Sequence, residues 1–98
     1  MTYRLSRRAD RDIASIWNRI AADSPYNADR VELTLHEAME KLTRFPNAGH
    51  QRADVKDRTI RFWPVYAFLI AYRVGRRSLV VVRVLDGRRD VRRLFRNK

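Results

Sequence analysis

The residues that decide the fold are 66–90, YAFLIAYRVGRRSLVVVRVLDGRRD. They contain two apolar runs, 66–74 and 78–85, which are rich in β-branched and aromatic residues and are joined by a turn at Val74 to Arg77. Two such runs separated by a short glycine-containing turn predict a β-hairpin. Arginines follow the second run, so we expect the hairpin to end in a basic turn.

Side chains alternate between the two faces of a strand, and this divides the predicted sheet into unlike faces. One face is wholly apolar. In the hairpin its residues are Tyr66, Phe68, Ile70, Tyr72, Val74, Val80, Val82 and Val84. The other face is apolar but also carries Arg61, Arg73 and Arg83, provided that the upstream run 58–63 pairs in the matching register.

Two amphipathic helices precede the strands. Apolar residues recur at intervals of three and four from Ala9 to Ile20, and Ser6 is placed to cap this first helix. Ser24-Pro25 ends it, because proline disfavours helical geometry at the residue before it. A second apolar stripe predicts a helix from about Tyr26 or Asn27 to Arg44. The short connection predicts an antiparallel helix hairpin.

The predicted order of elements is β-α-α-β-β-β, an α+β fold in which a small antiparallel sheet carries the helix hairpin on one face. Residues 1–98 are too few for a second core, so we expect a single domain. Val91, Leu94 and Phe95 predict a last helical turn that folds back on the sheet. Nothing else remains to cover the arginine-bearing face, and we expect a second molecule to cover it.

The whole chain has a formal net charge of +11, and its positive charge is concentrated in the second half. Residues 1–45 contain 8 Lys and Arg against 7 Asp and Glu, whereas residues 46–98 contain 14 against 4. Such a field favours phosphate, an anionic surface or an acidic protein partner. Arginine makes up 19 of the 22 basic residues, which suits bidentate contacts to phosphate or carboxylate.

Several classes of protein are disfavoured by the composition. The chain has no cysteine, its start lacks the apolar run of a signal peptide, and no stretch approaches the roughly 20 apolar residues of a membrane span. We therefore expect a cytoplasmic protein that does not enter membranes. His36 and His50 have no metal-ligand spacing and there is no glycine-rich phosphate loop, so we expect no metal, cofactor or small-molecule substrate.

Short groups of residues follow one another in order along nearly the whole chain. They are Tyr3-Arg4-Leu5-Ser6, LTRFPNAG at 42–49, Ile60-Arg61, YAFLIAYR at 66–73 and RVLDGRRD at 83–90. In this order and spacing the sequence resembles the RelE/ParE superfamily of type II toxin–antitoxin toxins, and within it the ParE-type branch.

The resemblance implies a small toxin that a cognate, acidic, ParD-like antitoxin neutralises by laying a helix or an extended strand over its apolar surfaces. This would cover the second sheet face or the groove of the helix hairpin. The residues that we expect to contact the antitoxin are Trp63, Leu69, Leu79, Val81 and Leu85.

The resemblance leaves two targets open. RelE-like toxins cut mRNA in the ribosome, whereas ParE-like toxins poison DNA gyrase. RNA cleavage requires a general base, a general acid and positive charge at the phosphate, for which Arg61, Arg83 and His50 are the candidates. His36 is expected on the surface, and Tyr72 in the core. Asp86 stands where many members of the superfamily have histidine.

The lack of a clear general base and general acid favours a toxin that poisons gyrase by binding and is not an enzyme. A ribosome-dependent mRNA endonuclease is the alternative. Charge alone also allows a plain nucleic-acid-binding module. The basic tail, about residues 88–98, interleaves arginines with Leu94 and Phe95, which suits docking. The predicted target-binding residues are Arg61, Arg73, Arg83, Arg88, Arg89, Arg92, Arg93 and Phe95.

Overall fold

Within residues 1–88 and 91–95, which the computed structural model describes, the chain forms four strands and three helices. They are β1 Thr2–Leu5, α1 Arg7–Ala21, α2 Pro25–Arg44, β2 Arg61–Val65, β3 Phe68–Val74, β4 Ser78–Asp86 and α3 Val91–Leu94. This confirms the predicted α+β fold class and the order of its elements. None of the helices described is long and apolar enough to cross a membrane.

Serine side chains cap the N-termini of both long helices. Ser6 Oγ accepts a hydrogen bond from the Ala9 amide at 3.0 Å, and Ser24 Oγ accepts one from the Asn27 amide at 3.1 Å. Pro25 occupies the first turn of α2, where its missing N–H has no partner to lose. The predicted helices are therefore confirmed, with α2 beginning one or two residues earlier than expected.

The sheet has the strand order β1-β4-β3-β2. β3 pairs antiparallel with both β2 and β4, which confirms the predicted hairpin, whereas β1 pairs with β4 in parallel. The sheet is thus mixed rather than purely antiparallel, because β1 lies beside a strand distant in sequence. Pro64 lies in β2 at the edge of the sheet, where the missing N–H of proline is tolerated.

A β-bulge changes which residues of β4 face the helices. Ala71 lies opposite Arg83 and Tyr72 lies opposite Val81, so that Val82 has no residue opposite it. Strict alternation therefore fails in β4. The prediction that Val82 and Val84 share a face is wrong: Val84 packs in the cluster under the helices, and Val82 packs beside the cluster on the other side.

The larger core cluster lies between the helix hairpin and the sheet. It includes Ile13 of α1, Leu35 and Met39 of α2, and Ile70 and Tyr72 of β3. Two residues expected on this face are not in the core. Tyr66 forms the tip of the β2–β3 hairpin and is 74% exposed, and Val74 ends β3 and is 43% exposed.

A second, smaller core cluster covers part of the opposite face of the sheet. Val55 and Ile60 from the segment between α2 and β2, together with Val91 and Phe95 from the chain end, pack on Phe62. The expectation that α3 folds back on the sheet is confirmed. The expectation that nothing else in the chain covers this face is wrong. Burial of residues 51–60 was not predicted because, apart from Ala53, Val55 and Ile60, they are polar.

Candidate functional site

An open cavity of about 290 Å³ lies beside the second core cluster, and we call it the arginine cavity. Its polar lining residues are Ser6, Arg8, Asp57, Arg73 and Arg83. Its apolar wall consists of Ile60, Val82, Leu94 and Phe95. The start of α1, strands β3 and β4 and the end of α3 therefore meet at one place, and two of the three arginines predicted for this face are among them.

Arg83 is held by an ion pair that joins β4 to α1. Its Nε donates to Asp12 Oδ2 at 2.7 Å and its Nη2 donates to Asp12 Oδ1 at 3.0 Å. Asp12 Oδ2 also accepts a hydrogen bond from the Val84 amide at 3.0 Å. The two side chains are only 12% and 15% exposed. Arg83 therefore mainly stabilises the fold. Because Asp12 neutralises its guanidinium, it adds little net charge to the cavity.

Unlike Arg83, the side chains of Arg8 and Arg73 are not neutralised by an ion pair with a described residue. Both side chains are exposed, and no residue in the described part of the chain forms a hydrogen bond or ion pair with either guanidinium. Arg73 projects from β3 opposite Val80, and Arg8 from the first turn of α1. These two side chains are the free cations of the cavity.

Arg61 does not join the other arginines. It lies opposite Tyr72, on the helix side of the sheet, and its Nη1 donates to the Gly49 carbonyl at 2.9 Å and to the Asn47 carbonyl at 3.4 Å. The prediction that Arg61 shares a face with Arg73 and Arg83 is therefore wrong. Its guanidinium instead secures the turn that follows α2.

Tyr72 secures the same turn from inside the core. Its hydroxyl donates to the Pro46 carbonyl at 2.7 Å and accepts from the Gly49 amide at 2.8 Å, and its side chain is fully buried. A Cβ at Gly49 would lie 2.5 Å from the Tyr72 hydroxyl, so the close contact requires glycine. Burial raises the pKa of the Tyr72 phenol. The expectation that Tyr72 is a core residue is confirmed.

Neither histidine lines the arginine cavity. His36 was expected on the surface, but it is half-buried and its Nδ1 lies 2.7 Å from the Tyr3 hydroxyl, which ties α2 to β1. Burial, followed by the charge of Glu40, raises the pKa of Tyr3. His50, the candidate base, is exposed and pairs through its backbone with Phe62.

Asp86 forms a compact charge cluster with two arginines. Arg88 donates to it from its backbone amide at 3.0 Å and from its guanidinium at 2.9 Å, and Arg19 of α1 lies 4.0 Å away. The Arg88 guanidinium holds the pKa of Asp86 far below its usual range, and Asp86 in turn raises the pKa of Arg88. Asp86, the last residue of β4, is thus ionised at neutral pH and has no proton to donate as a general acid.

The basic tail is only partly described. Arg88, Arg92 and Arg93 are exposed, whereas Arg89 lies outside the described residues, as do positions 96–98. Phe95 is 5% exposed and packs edge-on against Phe62, with ring centroids 5.7 Å apart. The prediction that Phe95 contacts a target is therefore corrected, because its ring anchors the chain end to the sheet.

A separate apolar groove lies where the end of α2 meets the edge strand β2. Its volume is about 180 Å³ and its lining residues are Ala38, Lys41, Leu42, Phe45, Ala48 and Trp63. Phe45 is 60% exposed although it is a large apolar residue, and Trp63 is half-buried. We call this surface the Trp63 groove.

The predicted antitoxin contacts divide into two groups. Leu79, Val81 and Leu85 are at most 1% exposed, so the prediction that they meet a partner is wrong. Leu79 and Val81 pack under the helices and Leu85 packs in the second cluster. Trp63 and Leu69 are half-buried and retain exposed surface.

The described residues contain no group of three or more His, Cys, Asp or Glu side chains that would hold a metal ion. Three site residues were missed by sequence reasoning. They are Arg8 and Asp12 of α1 and Phe45 at the end of α2, none of which the sequence analysis singled out. A carboxylate next to the apolar stripe of α1 was the available signal for Asp12.

Comparison with known proteins agrees with this geometry. The fold is similar to that of a solved structure described as a chromosomal ParDE TA system from P. aeruginosa, with a TM-score of 0.73, 19% sequence identity, and coverage of 88% of this chain and 95% of that chain. No curated protein sequence gives a significant match. The family model described as the ParE toxin of type II toxin-antitoxin system, parDE, matches residues 3–91. The chain therefore belongs to the ParE toxin family of type II toxin–antitoxin systems.

Proposed function

We propose that this toxin arrests growth by binding DNA gyrase and trapping it with its DNA cleaved, and that it does no covalent chemistry itself. The observation that supports binding over catalysis is the lining of the arginine cavity. Among the described residues its lining contains neither histidine nor tyrosine, and the Oδ1 of the carboxylate found there, that of Asp57, already accepts two hydrogen bonds from Thr59.

Cleavage of RNA through its 2′-hydroxyl needs groups that move protons, and the described residues place no histidine or tyrosine in the arginine cavity for this. The Tyr72 hydroxyl is buried and already hydrogen-bonded, Asp86 is ionised and cannot act as a general acid, and neither Asp86 nor His50 lines the cavity. The ribosome-dependent endonuclease is therefore less well supported, although Arg73 offers charge for a phosphate.

Cleavage of plasmid DNA in the presence of purified gyrase tests the proposal. Supercoiled plasmid, gyrase, ATP and the toxin are incubated, then treated with detergent and protease. We expect linear plasmid that increases with toxin concentration. Normal supercoiling at a stoichiometric excess of toxin would contradict the proposal, and cuts within codons of translated mRNA would support the endonuclease instead.

Arg92 provides a variant for this assay because it is exposed on α3 and belongs to the predicted target-binding residues. Arg92→Glu is expected to reduce linear product. The matched control is Arg30→Glu, the same change at an exposed position of α2. Gyrase acts in the cytoplasm, so this proposal also places the toxin there.

We further propose that a cognate acidic antitoxin neutralises the toxin by laying the apolar face of a helix in the Trp63 groove. The pairing of His50 with Phe62 occupies the outer edge of β2, and the next outward-facing residue, Pro64, has no N–H to offer. An added strand at this edge is therefore disfavoured. The groove is apolar, and Lys41 at its rim suits an acidic partner.

A further inference from the structure

We propose that the arginine cavity binds a single-stranded nucleic acid, with Arg8 and Arg73 contacting a phosphate group and the apolar wall holding the adjoining sugar or base. This is a binding site on the toxin itself and does not depend on gyrase being the target.

Arg8 and Arg73 carry the two guanidinium groups of the cavity that form no ion pair with a described residue. The Arg83 guanidinium is neutralised by Asp12, with hydrogen bonds of 2.7 and 3.0 Å. Asp57, the carboxylate in the lining, accepts hydrogen bonds from the Thr59 amide at 3.0 Å and the Thr59 hydroxyl at 2.6 Å. Thr59 is neutral, so Asp57 keeps its negative charge, and the guanidinium groups of Arg8 and Arg73 against this one carboxylate leave the cavity with a net positive charge. These two guanidinium groups form a site for an anion, and arginine binds phosphate in a bidentate manner.

A second basic cavity adjoins the first and indicates a ligand with repeated charges. It has a volume of about 300 Å³, is lined by Lys56 and Arg92, and shares Phe95 with the arginine cavity. Its carboxylate, Asp54, is paired with Arg52 at 3.0 Å and also interacts electrostatically with Arg92, so Lys56 and Arg92 together keep a net positive charge in this cavity. A polymer with one anion per unit fits two such cavities in series better than a single free phosphate does.

The apolar wall favours a nucleic-acid strand over an acidic peptide and over a duplex. Ile60, Val82 and Leu94 give the arginine cavity an apolar side opposite its cations. A nucleotide has both a charged phosphate and an apolar sugar or base within a few ångströms, whereas a duplex keeps its bases stacked inside. Phe95 is almost fully buried, so its ring forms the floor of the cavity and is not a platform for stacking.

Fluorescence anisotropy with a fluorescein-labelled oligothymidylate of about 12 nucleotides tests the site. The cavity variant is Arg8→Gln with Arg73→Gln, and the control variant is Arg30→Gln with Arg44→Gln on α2, which removes the same charge. We expect the cavity variant to bind at least about tenfold more weakly and the control less than about twofold more weakly. All four residues are exposed, so thermal melts of both variants should match that of the unmodified toxin.

The salt dependence of binding distinguishes direct contacts to phosphate from general electrostatic attraction. Loss of the contact to one phosphate on a single strand is expected to reduce the slope of log K against log salt by about 0.7 in the cavity variant alone. Equal losses in both variants, an unchanged slope, or no binding by the unmodified toxin would overturn the proposal. So would displacement of the oligonucleotide by a polyglutamate peptide at lower concentration than by unlabelled oligothymidylate. Gyrase is absent from this assay, so its outcome is separate from that of the gyrase proposal.

Discussion

Asp12 and Arg83, 71 residues apart in the chain, form a bidentate ion pair that closes the edge of β4 beyond the end of β1. β1 pairs with β4 only as far as Val81, and the next groups of β4 are bonded to the start of α1: the Val82 carbonyl accepts from the Ser6 hydroxyl at 2.8 Å, and the Val84 amide donates to Asp12. The helix start therefore replaces a neighbouring strand.

Replacing Arg83 is expected to destabilise the fold, although the sequence analysis assigned this arginine to target binding or RNA cleavage. Arg83→Ala leaves the mostly buried Asp12 carboxylate without its cation, and we expect a loss of about 2 kcal/mol in the free energy of unfolding. Urea denaturation measures it. In a double-mutant cycle with Asp12→Asn the two changes should be less than additive. Additive losses would show that the pair does not act as a unit.

The Tyr72 hydroxyl is expected to stabilise the fold and to have no role in activity. Tyr72→Phe leaves the Pro46 carbonyl and the buried Gly49 amide without their partner, and should lower the free energy of unfolding by about 1–3 kcal/mol. Urea denaturation measures the loss, and growth arrest on expression at low temperature reports the activity. An active-site tyrosine would show the reverse, with lost toxicity and unchanged stability.

Local signals in the sequence predicted the helices and the hairpin, because serine caps, apolar periodicity and a glycine turn act within a few residues. The bulge at Val82 was not predicted, because it depends on two residues of β4 opposing one of β3. The second core cluster was not predicted either, because Val55 lies in a polar segment. The candidate site depends on long-range pairs such as Asp12 with Arg83, which no local pattern reveals.

Asp86 is expected to make the stability of the toxin sensitive to acid. Its pKa is lowered in the folded state by Arg88, so its contribution is fully present above the unfolded aspartate pKa of about 4 and is lost as the pH falls toward the lower folded value. The difference in urea midpoint between the unmodified toxin and Asp86→Asn should therefore be constant near neutral pH and shrink below about pH 4. A difference that is independent of pH would contradict the ion cluster.

Tyr66 is expected to be a site where glycine stabilises the fold. It has a φ of 54°, a conformation that is unfavourable for a bulky side chain, and it is 74% exposed at the hairpin tip. We expect Tyr66→Gly to raise the free energy of unfolding by about 0.5–1 kcal/mol. The control is Ala67→Gly, at a loop position without positive φ, which should lower it by a similar amount. A loss in both variants would contradict the strain at Tyr66.

Phe45 is expected to be an anchor for the antitoxin in the Trp63 groove. It is 60% exposed, so its replacement removes contact area from a partner while leaving the fold intact. We expect Phe45→Ala to weaken antitoxin binding at least about tenfold by isothermal titration calorimetry, since aromatic anchors dominate such interfaces. The control is Leu33→Ala, because Leu33 is 57% exposed on α2 and does not line the groove. Equal losses in the two variants, or full affinity in Phe45→Ala, would place the antitoxin elsewhere on the toxin.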